Sequence, residues 1–161
     1  MDEVEWDRRV TLLWASIDDF AEDDFLGEMA KLVAERPDGD AVGLFEHASA
    51  FDSTGHPGLA VDRYRAALSA GLSGRRRRRA TIQLASSLRN LGQAEESVAL
   101  LTAELGQPSD DLDDAVHAFL ALALTSVGRE REAVGLALGA LAPHLVRYNR
   151  SLANYAAELG S

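Results

Sequence analysis

A period of 36 to 37 residues constrains this chain more than any other feature. Glycines stand at Gly55, Gly92 and Gly128, 37 and 36 residues apart. Five residues after each comes a small residue, then valine: Ala60-Val61, Ser97-Val98 and Ala133-Val134. Three past each valine stand Tyr64, Leu101 and Ala137, and four further on Leu68, Leu105 and Leu141. A period of this length is the mark of stacked supersecondary units, none of which can bury its apolar face alone.

Each unit reads as two helices. Leu84, Leu88 and Leu91 recur at helical spacing before a glycine, and Val98, Leu101 and Leu105 after it. The glycine supplies the positive φ that ends the first helix. Pro57 sits early in the second helix of its unit, where its missing N–H costs nothing. Small residues fall at matching places, Ala48, Ala85 and Ala121 before the glycine and Ala60, Ser97 and Ala133 after it. They let the two helices of a hairpin approach closely. Strand signals are absent, because β-branched and aromatic residues are few and do not alternate.

The order of small, apolar, glycine, small and aromatic positions resembles tetratricopeptide repeats. Ala48, Phe51, Gly55, Ala60, Tyr64 and Ala67 carry the likeness in the first unit. Leu101 and Ala137 replace the aromatic later, Glu104 replaces a small residue, and His117 stands where Trp or Leu is usual. The stretch "IQLASSLRNLG" further resembles the bacterial subgroup called tetratricopeptide repeat group 5. The resemblance implies an all-α fold, a right-handed α-solenoid of helix-turn-helix repeats over 41–72, 78–109 and 114–145, within one domain spanning 1–161.

The flanks are expected to be helical too. Trp6, Val10, Leu13 and Ile17 form one stripe and Phe25, Met29 and Val33 another, so 3–36 reads as an extra N-terminal helical hairpin. Pro143 is expected to open a C-terminal capping helix over 143–159, with Leu145, Tyr148, Leu152, Tyr155 and Leu159 on one face and Arg147, Arg150, Asn154 and Glu158 on the polar side.

At 161 residues and 47% hydrophobic content the chain can bury a real core. It has no cysteine, which excludes disulfides, thiolate metal sites and cysteine nucleophiles. The acidic N-terminus lacks an apolar signal region, and runs such as "AFLALAL" are too short to span a bilayer. A cytoplasmic location is the expectation. Basic residues are nearly all arginine, which reads as the base composition of a high-GC bacterium.

The formal net charge is -10, which argues against nucleic acid and anionic membranes as partners. Yet Arg75 to Arg79 are five consecutive arginines. Helical residues turn by about 100° each, so such a run rings a helix and does not form one stripe. It also lies at a helix start, where the dipole disfavours each cation by about 0.3–1 kcal/mol. Asp38 and Asp40 in the preceding repeat, and Asp110, Asp111, Asp113 and Asp114 in the next one, hold the corresponding positions. Salt bridges between repeats are the expected use of the run. Anion binding is the alternative.

For function, the resemblance implies a concave groove lined by the first helix of each repeat, taking a peptide or partner helix. In the second repeat Arg79, Gln83, Ser86 and Asn90 are spaced 4, 3 and 4, so they share a face, with Arg89 beside them. Phe45, Ser49, Asp52 and Ser53 are expected to extend that groove in the first repeat. Amide and guanidinium groups suit peptide-backbone recognition. The two-carboxylate clamp of chaperone-binding members is not expected, because Phe45, Ser49 and Phe119 replace its Lys, Asn and Arg.

No phosphate loop, HExxH or nucleophile motif is present. His47, His56, His117 and His144 lack metal-ligand spacing. The chain is therefore expected to be a non-enzymatic protein- or peptide-binding scaffold needing no cofactor and no metal. The alternative is a self-association module that forms a homodimer through the C-terminal helix or an end face.

Overall fold

A computed structural model describes residues 2–160. Among them the chain is all-helical, with nine α-helices, two short 3-10 turns and no strand. In order these are α1 (Glu3–Ala15), α2 (Glu22–Ala34), α3 (Ala41–Ser53), α4 (Pro57–Ser69), α5 (Gly74–Asn90), α6 (Ala94–Glu104), α7 (Asp113–Ser126), α8 (Glu130–Leu141) and α9 (Asn149–Leu159). Helix α1 packs on α2, α2 on α3 and α3 on α4, and likewise α6 on α7, α7 on α8 and α8 on α9, as a helical repeat requires. The chain divides into two compact units, 1–83 and 84–161, with the division inside α5.

In the first unit α1 and α2 form the N-terminal hairpin. Its apolar stripes bury Trp6, Val10 and Leu13 against Phe25, Met29 and Leu32, with Ala50 of α3 beneath them. Ile17 and Val33 are partly buried at the border of this core. Trp6 satisfies its indole N–H by donating to the Leu32 carbonyl at 2.8 Å, and the Arg36 guanidinium covers its ring at 4.5 Å. Asp40 starts α3 by accepting from the Gly43 N–H at 2.8 Å. It also binds the Arg36 side chain. Helix α3 then packs on both α2 and α4. Phe45 and Tyr64 are fully buried, their ring centroids 6.3 Å apart.

In the second unit α6 packs on α7, α7 on α8, and α8 on α9. Leu88, Leu101, Val116, Leu120 and Leu124 are among its large buried side chains. The expected small positions are buried throughout the chain: Ala48, Ala85, Ala121, Ala60, Ser97 and Ala133. Ala137, where an aromatic would be usual, is exposed.

The three punctuating glycines behave alike. Gly55, Gly92 and Gly128 have φ of 83°, 82° and 75°. The next N–H after each donates back five residues, His56 to the Phe51 carbonyl at 2.8 Å, Gln93 to Leu88 at 2.9 Å and Arg129 to Leu124 at 2.9 Å. This is the glycine-terminated closure in which a left-handed residue satisfies the last helical carbonyls.

One boundary differs from expectation. The capping helix does not begin at Pro143, which lies instead in a 3-10 turn over Ala142–His144. Helix α9 starts at Asn149, after Tyr148 with φ of 69°. The Asn149 side-chain amide donates to the carbonyls of Ala142 at 2.9 Å and Leu145 at 2.6 Å. Those bonds satisfy acceptors that a continuous helix would have used internally. The face of α9 that packs inward is Leu152, Ala156 and Leu159, while Tyr148 and Tyr155 are exposed.

Candidate binding face on helix α5

Helix α5 spans Gly74–Asn90; Arg79 and Gln83 lie in its part within the first unit, and Ser86, Arg89 and Asn90 in its part within the second. Ala80, Ile82, Leu84, Ala85 and Leu88 of the helix are buried. Arg79 and Asn90 are exposed, and Gln83, Ser86 and Arg89 are half-buried. The Arg79 guanidinium stands 5.2 Å from the Phe45 ring centroid, a cation–π contact that orients it. Arg89 donates to the Asn90 amide oxygen at 3.2 Å. Two polar side-chain atoms of this helix, Gln83 Oε1 in the first unit and Arg89 Nε in the second, are buried with no hydrogen-bond partner among the described residues.

Phe45 and Ser49 depart from the expected groove surface. Both lie in the interior, at 0% and 1% exposure. The cause is that α3 is covered on two sides, by α2 and by α4, which leaves little of it to solvent. Asp52 is half-buried and Ser53 exposed at the end of α3. Tyr64 donates to Ser49 Oγ and to Asp52 Oδ2, both at 3.4 Å. Burial pushes the Tyr64 hydroxyl far above its ordinary pKa, so it stays a neutral donor.

The arginine run finds a partner that sequence reasoning missed. Arg76 does not reach Asp38 or Asp40. It donates to Asp7 of α1 at 2.7 Å and to Glu46 of α3 at 3.2 Å. Glu46 is buried and also accepts from the Trp14 indole N–H at 2.9 Å. Asp7 lies outside the repeats, so no repeat register could have indicated it. A glutamate in the middle of an otherwise apolar helical stretch, "GLFEHASA", was the available signal.

The histidines sit at the edges of packing. His47 and His117 are half-buried, and His117 Nδ1 lies 2.8 Å from the Asp113 carbonyl. Burial and the nearby Arg63 lower the His47 pKa. His56 precedes α4 and approaches Glu22 at 3.3 Å, and His144 pairs with Asp114 at 2.9 Å. Among the described residues no group of three or more His, Asp or Glu side chains is placed to hold a metal ion. Nor is any helix there long and apolar enough to cross a membrane. A groove of about 610 Å³ in the second unit is floored by Gly135, Gly139 and Ala156. Of the acids at its rim, Asp114 is engaged by His144 and Glu132 by Arg129.

A sequence model of the family described as "Tetratrico peptide repeat" matches residues 41–159. No curated protein and no solved structure matches the chain.

Proposed function

The chain belongs to the tetratricopeptide repeat family, whose members typically bind proteins, and on that premise we propose that it is a non-enzymatic scaffold recognising a protein or peptide through polar residues of α5. Arg79, Gln83, Ser86, Arg89 and Asn90 are the recognising side chains, with Asp52 contributing from the first repeat. The observation that carries this reading is the pair of unmet hydrogen-bonding atoms, Gln83 Oε1 and Arg89 Nε. Each such atom costs about 1–3 kcal/mol while unsatisfied. A peptide backbone offers an N–H for the first and a carbonyl for the second. Small rotations of two partly exposed side chains would bring these atoms to it.

A pull-down from lysate, with wild type beside a Gln83→Ala/Arg89→Ala/Asn90→Ala variant, tests the assignment. Circular dichroism verifies that both are folded. A protein retained by wild type and lost by the folded variant places recognition on α5. Equal retention by both overturns it.

A further inference from the structure

Two exposed surfaces of this chain are opposite in charge, and both carry aromatic side chains. The first lies in the N-terminal unit. Every residue of the stretch 18–24, "DDFAEDD", is exposed, and Phe20 stands partly out of the core. Glu22 is engaged by His56. Asp18, Asp19, Asp23 and Asp24 have no ion-pair partner among the described residues.

The second lies in the other unit, in the segment that enters α9. Val146 is 98% exposed, Tyr148 76% and Tyr155 63%. Tyr148 is the one non-glycine residue with positive φ among the described residues, a conformation costing about 1–2 kcal/mol for an ordinary L-residue. It is held by the Asn149 amide, which ties this segment to the carbonyls of Ala142 and Leu145. The segment is thus fixed in a shape that turns an aliphatic and an aromatic side chain into water. Arg147 and Arg150 flank them, exposed and without a carboxylate partner among the described residues. Tyrosine and arginine around an apolar centre is the composition of an interface core.

We propose that this chain self-associates by seating the Val146–Arg147–Tyr148–Arg150 surface of one copy on the Asp18–Asp24 surface of another. The occupant is a second copy because the chain itself supplies the complement: unneutralised aspartates around an exposed phenylalanine, against unneutralised arginines around an exposed tyrosine. Such a contact joins two different patches, so it closes as a reciprocal two-fold pair or a ring, or runs on as a chain of copies. It does not rest on the α5 reading, since none of these residues lies on that helix.

Analytical ultracentrifugation over a concentration series tests it. For wild type the average mass rises with concentration at low salt and returns toward the monomer at high salt, where exposed charge pairs are screened. Arg147→Glu/Arg150→Glu weakens the association by about tenfold or more, and so does Asp23→Arg/Asp24→Arg. An equimolar mixture of these two variants associates again, because each then offers the charge the other lacks. These are exposed positions, and circular dichroism confirms that both variants fold. A wild type that stays monomeric throughout overturns the proposal, as does a charge-reversed variant that assembles unchanged or a mixture that fails to recover.

Discussion

Arg76 Nε lies 3.2 Å from Glu46 Oε1, a partly exposed guanidinium reaching a carboxylate that is 4% exposed. The carboxylate's other oxygen is taken by Trp14, and the other arm of Arg76 by Asp7. One side chain of the arginine run thereby joins α1, α3 and α5.

Removing Arg76 leaves a buried negative charge with only the indole N–H. Arg76→Ala is expected to cost about 3 kcal/mol of unfolding free energy, and Glu46→Ala a similar amount. Glu46→Gln keeps an acceptor for Trp14 and costs less, about 1–2 kcal/mol. Urea denaturation of the three variants measures this ordering. A Glu46→Gln variant as damaged as Arg76→Ala would show that the charge, and not the acceptor, holds the cluster.

Helices α8 and α9 touch through a glycine. A Cβ at Gly135 would meet the Ala156 carbonyl at 2.8 Å and the Gly160 N at 3.1 Å, both backbone atoms. Gly135→Ala is expected to destabilise by about 1–3 kcal/mol and to raise hydrogen exchange in α9 first. Gly139 is the control. Its nearest neighbour is the Ala156 Cβ at 3.9 Å, so Gly139→Ala should be neutral or stabilise by up to about 1 kcal/mol through helix propensity.

Ser97 occupies the position that Ala60 and Ala133 hold in the other repeats, and its buried hydroxyl has no partner. Ser97→Ala removes that unmet group without opening a cavity. The thermal midpoint should stay level or rise, with a gain of about 0–1 kcal/mol. A clear loss of stability would reveal a hydrogen bond that Ser97 makes in solution.

Asp40 carries an acid-dependent share of stability. Burial alone would raise its pKa. The hydrogen bond and charge of Arg36 and the Gly43 N–H outweigh burial and lower it. The unfolded chain therefore holds this proton more tightly than the folded one. The contribution is whole above the ordinary aspartate value of about 3.9 and is lost as pH falls through the lower folded value. Asp40→Asn keeps a capping oxygen for the Gly43 N–H but loses the charge facing Arg36, and should cost about 1 kcal/mol at neutral pH. It should also flatten the decline of stability in acid. Denaturation at a series of pH values reads both, and an unchanged acid slope would remove Asp40 from the account.

The repeats were legible because their signal is local. Glycine at the turn, small residues where helices cross, and apolar spacing along each helix all act within one hairpin. The N-terminal hairpin was legible for the same reason, in the stripes of Trp6 and Phe25. The features that escaped depend on which element covers which. Phe45 and Ser49 stand at positions that line a groove when one side of the helix is open, yet α3 is covered by α2 as well as α4. The pairing of Arg76 with Asp7 crosses 69 residues and belongs to no periodic pattern. The start of α9 moved because the Asn149 amide captures carbonyls upstream, and no spacing rule announces that competition.

The turns at Gly55, Gly92 and Gly128 share one main-chain closure, in which the N–H after the glycine bonds back five residues and the glycine takes the positive φ. Their neighbours, His56, Gln93 and Arg129, have no side-chain chemistry in common. A junction of that kind is indifferent to the side chain that comes next. A segment of 36 or 37 residues could be copied, deleted or exchanged at these points and still close its hairpin. The chain is thus written in a form that can lengthen or shorten by duplication while selection acts separately on the exposed faces of each added hairpin.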